Sequence, residues 1–231
     1  MNSSPYESNL RVSEAESVHT FLQRVYLWMT GGLGITALVG ALVSASPQIS
    51  SILMSGMIPF IVLAIATFGI VLFLTARIHT LSVGTASMLF LVYSALNGLL
   101  FAPLFLIYTD ASLGVTFLCT AGTFGAMTVY AFTTKRDLSG MGRFFMMAVI
   151  GLVISLPVNM FFKSNTFDLI ISGVGVLIFS GLTAYDTQRL IKDRDFMGMG
   201  SGRTAILGAL TLYLDFINLF LYLLSFLGKR D

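Results

Sequence analysis

Two carboxylates in this chain stand where apolar surroundings should exclude them. Asp186 lies in "GLTAYDTQRL" and Asp215 in "LTLYLDFINLFLYLLSFLG", whereas nearly all the other acidic residues, of eleven in total, fall in the N-terminal stretch, in loops or at the C-terminus. A carboxylate at bilayer depth costs about 2.5–3.5 kcal/mol on insertion scales, so such residues face a bundle interior or a water-filled cavity and mark function. If the two meet in poorly hydrated surroundings, Coulomb repulsion keeps both from ionising at once, and they share one proton. The shared proton holds two helices together. Its loss leaves like charges that push apart and offer oxygens to a cation. Calcium takes six to eight oxygen ligands, so Asp186 and Asp215 alone would bind it weakly and transiently. A permeation path needs that weakness, because an ion must leave as well as enter.

Spacing indicates which way Asp215 points. Gly208, Thr211, Asp215, Asn218, Tyr222 and Ser225 recur at intervals of 3, 4, 3, 4, 3, while Leu212, Phe216, Leu219, Phe220 and Leu223 occupy the other faces. Such a stripe drifts only ~20° per heptad, which predicts a helix inside a bundle with its polar edge towards a cavity or a neighbour. Interhelical hydrogen bonding, about 1 kcal/mol per contact or less, also accounts for the Thr, Asn and Tyr, but not for an ionisable Asp. Ser180 and Ala184 lie about 200° around the helix from Asp186 and are expected to pack against a different helix. Arg77, in "FLTARIHT", is a candidate latch for either aspartate or an ordinary interfacial anchor. Asn97 with Ser94, and Asn159 after Pro157, are polar at depth as pore lining or as packing contacts. His19 and His79 lack metal-ligand partners at useful spacing, and the single Cys119 has no partner in the chain.

Positioning these residues falls to seven apolar segments, at roughly 25–45, 52–76, 81–107, 112–133, 144–162, 168–190 and 205–227. Each is close to the ~20 residues that cross a ~30 Å hydrocarbon core. At that depth backbone groups must pair within their own segment, so the runs are read as helices. With 56% hydrophobic and 10% charged residues and a mean hydropathy of +0.88, the chain has too little polar surface for a soluble globule. The expected fold is all-α, an integral membrane bundle of seven helices forming one domain over 23–231 after a flexible tail over 1–22. The tail has no signal-peptide pattern, and a net charge of +2 points to no nucleic-acid partner.

Orientation follows the basic residues. With the N-terminus cytoplasmic, ten fall inside (Arg11, Arg24, Arg77, Lys135, Arg136, Arg143, Arg189, Lys192, Arg194, Arg203) and three outside (Lys163, Lys229, Arg230). The C-terminus is then outside, as is "SASPQISS" (44–51), and both "TTKRDLSG" (133–140) and "QRLIKDRD" (188–195) are cytoplasmic. The short connection "DRDFMGMGSG" (193–202) makes the last two segments antiparallel neighbours. Lys192 is six residues, or ~9 Å, from Asp186, whereas Arg203 is twelve, or ~18 Å, from Asp215. Pairing therefore requires the first turns of the last helix, "TAILGAL", to project beyond the end of the sixth.

The two aspartate segments, with "FLVYSALNGL" (90–99) and "GAMTVYAFTTKRDLSG" (125–140) upstream, resemble the Bax-inhibitor family of transmembrane proteins, in its bacterial inner-membrane branch. The resemblance covers everything after the tail. It implies a seven-helix bundle with the last helix central and a pH-sensitive calcium leak, without a cofactor, gated by a di-aspartyl pair matching Asp186 and Asp215. A latch arginine of the family would match Arg77. Other bacterial members lack the aspartates and are associated with a membrane-anchored AAA protease, so a non-transporting regulator that binds such a partner is an alternative. An intramembrane aspartyl protease also carries a "YD" and a second Asp on successive helices. Against it, Tyr213-Leu214 precede Asp215 where that family has Gly-x-Gly, and no proline follows Pro157.

Overall fold

A computed structural model describes residues 5–162, 164–192 and 201–229. Lys163, the connection 193–200 and Arg230 lie outside the described residues, so the readings that fall on them are untouched. The helices are α1 (Pro5–Ser44), α2 (Pro47–Met54), α3 (Met57–Arg77), α4 (Val83–Phe101), α5 (Leu104–Ile107), α6 (Asp110–Thr133), α7 (Gly142–Phe162), α8 (Asn165–Lys192) and α9 (Ser201–Leu227), with a 3-10 turn at Ser139–Met141. No strand occurs among the described residues.

Seven of these stretches are long and apolar enough to cross a membrane: Val18–Ser44, Met57–Arg77, Val83–Ile107, Asp110–Thr133, Ser139–Asn159, Asn165–Lys192 and Gly202–Leu227. Boundaries depart from the sequence expectation for local reasons. The run read as 81–107 is divided into α4 and α5 at Ala102–Pro103, because Pro103 has no N–H to continue the ladder. The second run starts at Met57, since Pro47–Met54 folds as a separate short helix with proline in its first turn. The first helix begins at Pro5, within the segment read as a tail. Starts are capped where the sequence supplies hydroxyls: Ser82 Oγ accepts from Thr85 N at 3.1 Å and Thr109 Oγ1 from Ser112 N at 3.1 Å.

The last helix is central, as expected. Of its apolar window 61% is buried inside the bundle, against 11–39% for the other six spans. It packs on α8, α1, α6 and α4, while α7 is held mainly through α8. Val25, Phe90, Ile206, Leu212, Tyr213 and Leu219 are fully enclosed around it. Ile58, Ile65 and Phe68 of α3, Leu118 of α6 and Leu177 of α8 are exposed outward, the distribution of a bundle whose solvent is lipid. Gly98 lets α4 approach α1 closely: a Cβ there would lie 2.7 Å from Thr36 O and from Val39 Cβ.

The α3–α4 turn, the α6–α7 connection, the end of α8 and the start of α9 share one end of the bundle. That end carries Arg77, Lys135, Arg136, Arg143, Arg189, Lys192 and Arg203 and is termed the basic end below. At the opposite end the chain terminus is tied to the start of α6, Thr109 N donating to Lys229 O at 3.4 Å and Lys229 N to Ser112 Oγ at 2.9 Å.

The acidic pair and its supports

The polar stripe of α9 lies along α8 as an antiparallel seam. Its rungs can be followed from the far end. Ser172 Oγ donates to Ser225 Oγ at 2.9 Å. Tyr222 then lies over Gly175, where a Cβ would come within 2.4 Å of the ring, and stacks on Phe179 with centroids 5.6 Å apart at 21°. Nearer the basic end, Gly208 makes room for Leu190. Between these contacts Asp186 and Asp215 face each other, their carboxyls within hydrogen-bonding reach.

Both carboxyls are buried, Asp186 at 9% and Asp215 at 5% exposure. Asp215 Oδ2 is buried without a hydrogen-bond partner, and the group that acts on this carboxyl is Asp186. Two carboxyls can bond only when a proton lies between them, because a carboxylate accepts and does not donate. Among the described residues no group of three or more His, Cys, Asp or Glu side chains gathers.

The cation beside the pair is Arg189, three residues along α8, whose charge reaches Asp186. Arg77, the candidate latch, is exposed at the end of α3 and is not among the groups acting on either aspartate. The reason is positional. Arg189 rides on the same helix as Asp186, whereas α3 packs mainly on α4 and α2.

Of "TAILGAL" (204–210), which the depth arithmetic expects to project beyond α8, Gly208 lies beside Leu190 of α8 instead. The first turn of α9 docks on the α3–α4 turn, with Arg203 Nη1 donating to His79 O at 2.7 Å and to Leu81 O at 3.2 Å, and Gly202 fitting against Val83. Arg203 thereby ties the start of α9 to two backbone carbonyls of the turn between α3 and α4.

The back of α8 is gripped by the α6–α7 connection. Ala184, Gln188 and Lys192 are one turn apart, on the face turned away from Asp186. Ala184 meets Ala131 of α6 and Leu138, in line with the expectation that it packs elsewhere than on α9. Gln188, buried, uses both ends of its amide on backbone: Oε1 accepts from Leu138 N at 2.8 Å and Nε2 donates to Arg136 O at 2.9 Å. Lys192 Nζ donates to Gln188 Oε1 and Asp137 Oδ1, both at 3.0 Å. The Asp137 carboxyl, bonded by Ser139 and then by Lys192, is held down at about 2. It therefore stays ionised at any physiological pH.

A second buried polar group lies on the other side of α9. Tyr213 Oη is 2.6 Å from Thr36 Oγ1, which donates to Ser94 O at 2.8 Å, and the Tyr213 ring meets Tyr93 edge-on at 5.5 Å. Asn97 belongs to this side: its Nδ2 bonds Tyr93 O at 3.1 Å within α4. The structure does not bring Asn97 to the aspartates. Thr211 and Asn218 are half-buried and bond back to Leu207 O and Leu214 O of their own helix at 3.1 and 2.8 Å. Asn159 bonds Asp168 at the α7–α8 turn, remote from the pair. Gln188, Arg189, Tyr213 and Thr36 had no signal at the level of motif or spacing; only the packed fold reveals them.

Fold and site together define a seven-span membrane protein whose central last helix carries one of two facing, buried carboxyls. A family model described as "Inhibitor of apoptosis-promoting Bax1" matches residues 18–231. The chain belongs to that family, the Bax-inhibitor family its aspartate segments resemble. It is 45% identical over 225 residues to inner membrane protein YbhL of Escherichia coli, covering 95% of each chain. It is 43% identical over 213 residues to a protein of Borreliella burgdorferi (91% of this chain, 92% of the other) and 43% over 218 residues to one of Deinococcus radiodurans (94% and 93%).

Proposed function

We propose that this protein is a pH-controlled calcium leak of a bacterial inner membrane, closed by one proton shared between Asp186 and Asp215 and opened by its loss. The observation that carries the reading is the facing pair itself, two carboxyls enclosed between α8 and α9 within hydrogen-bonding reach. Such a pair coheres with one proton and repels with none. Opening exposes carboxylate oxygens to a cation at the basic end, and two oxygen ligand groups bind calcium weakly enough to release it. Beyond the pair the seam is plugged by Tyr222 on Gly175 and Phe179, so an open path requires that aromatic contact to part as well.

The inner-membrane placement is taken from the Escherichia coli relative's name. The N-terminus faces the cytoplasm and the C-terminus the outside, because the basic end then obeys the positive-inside rule. The reaction is transport and not catalysis. Tyr213 beside the acidic position is committed to Thr36 in the α1 seam, a use that suits packing better than a substrate channel. Calcium uptake by proteoliposomes tests the reading: wild type should conduct more as the pH is raised from about 6 to about 8. Uptake no faster than in protein-free vesicles at every pH overturns it, and loss of a co-purifying membrane partner in aspartate variants without any flux would point to a regulator.

A further inference from the structure

Two cavities of opposite character follow one another along α8. At the basic end, a pocket of about 270 Å3 is lined by Ser139, Tyr185, Gln188, Arg189 and Lys192. Further into the span lies a cleft of about 530 Å3, walled by apolar groups that include Phe145, Ala148 and Gly151 of α7 and Val174, Leu177 and Ile178 of α8. Tyr185 and Phe145 join the two, their rings 6.1 Å apart. Around the polar pocket, residues 134–143 and the last turn of α8 carry Lys135, Arg136, Arg143, Arg189 and Lys192 against one carboxylate, Asp137.

We propose that this is a binding site for one anionic phospholipid, its phosphate headgroup in the basic pocket and an acyl chain in the α7–α8 cleft. The charge balance selects an anion, since each cation near a membrane surface contributes about 1 kcal/mol towards an acidic lipid. The order of the cavities selects a lipid over a free anion, because only an amphiphile fills a polar pocket and the apolar cleft inward of it together. The hydroxyl of Tyr185 and the guanidinium of Arg189 supply donors suited to phosphate oxygens, the Ser139 hydroxyl being donated to Asp137 and the Gln188 amide to Arg136 O. Arg189 is shared between this pocket and the acidic pair, so the bound headgroup competes with Asp186 for the same guanidinium.

Native mass spectrometry of the full-length protein, with phosphatidylglycerol, phosphatidylcholine or inorganic phosphate added separately, tests the site. One phosphatidylglycerol should bind per chain, at least tenfold more tightly than phosphatidylcholine. Arg189→Gln with Lys192→Gln should weaken it by roughly five-fold per cation. Gly151→Phe fills the cleft without touching a charge, a Cβ at Gly151 meeting nothing within 4 Å, so it tests the cleft independently of the double charge variant. It too should weaken phosphatidylglycerol binding. Equal retention of the two lipids, inorganic phosphate binding as tightly as phosphatidylglycerol, or affinity unchanged in Gly151→Phe would each overturn the proposal.

Discussion

Replacing Asp215 by asparagine removes one titratable group from the seam while keeping its size, and its consequence can be worked through. With both carboxyls ionised, like charges about 4 Å apart at an effective dielectric of about 20 repel by about 4 kcal/mol. Losing the proton also removes a charge-assisted hydrogen bond of about 1.5–3 kcal/mol. The swing on deprotonation is thus of order 6 kcal/mol, comparable with the roughly 5.5 kcal/mol that carries a two-state equilibrium from 1:99 to 99:1. The amide introduced by Asp215→Asn can donate to Asp186 whether or not Asp186 is charged, so the repulsive part of the swing vanishes. Calcium flux into proteoliposomes containing Asp215→Asn should stay at the low-pH level across about pH 6 to 8, and Asp186→Asn should also lose the wild-type rise. An Asp215→Asn profile that climbs with pH as steeply as wild type would refute the reasoning, since no second carboxylate would remain to repel.

Three further outcomes follow from the supports of the pair. Tyr222→Ala removes the ring that stacks on Phe179 over Gly175 and should raise calcium flux at low pH several-fold; unchanged low-pH flux would show that the aromatic contact is no barrier. Gln188→Leu leaves Leu138 N and Arg136 O without their side-chain partner, at a cost of about 1–3 kcal/mol, read as a lower melting temperature in detergent and faster proteolysis between residues 134 and 141. Asp137→Asn should leave the flux profile between about pH 6 and 8 unmoved: a carboxyl held down at about 2 contributes above its ordinary value of 3.8 and loses that contribution only as the pH falls through about 2.

The 3, 4, 3, 4, 3 stripe was sufficient to orient α9, because a helix's period converts spacing directly into a face. Ser225, Tyr222, Asp215 and Gly208 all meet α8. A fixed rise per residue placed all of "TAILGAL" beyond α8, whereas Gly208 packs beside Leu190. What spacing cannot convey is which group a side chain meets across a connection. Gln188 reads as one more polar residue near a basic loop, yet it is buried by the backbone of 136–138. Tyr213 sits among leucines on a face that period alone labels apolar, and its hydroxyl finds Thr36 of α1. Arg77 and Arg189 have equal claims as guanidinium groups at the basic end; only the packing of α3 mainly on α4 and α2 separates them.

The central claim is that one proton is held between two acids, and difference infrared spectroscopy of the reconstituted protein observes it directly. Raising the pH from about 6 to about 8 should remove the carbonyl stretch of a single protonated carboxyl, and that band should be missing from the difference spectra of Asp186→Asn and Asp215→Asn. A wild-type difference spectrum with no protonated-carboxyl band, or one that persists unchanged when both aspartates are replaced, would contradict the account.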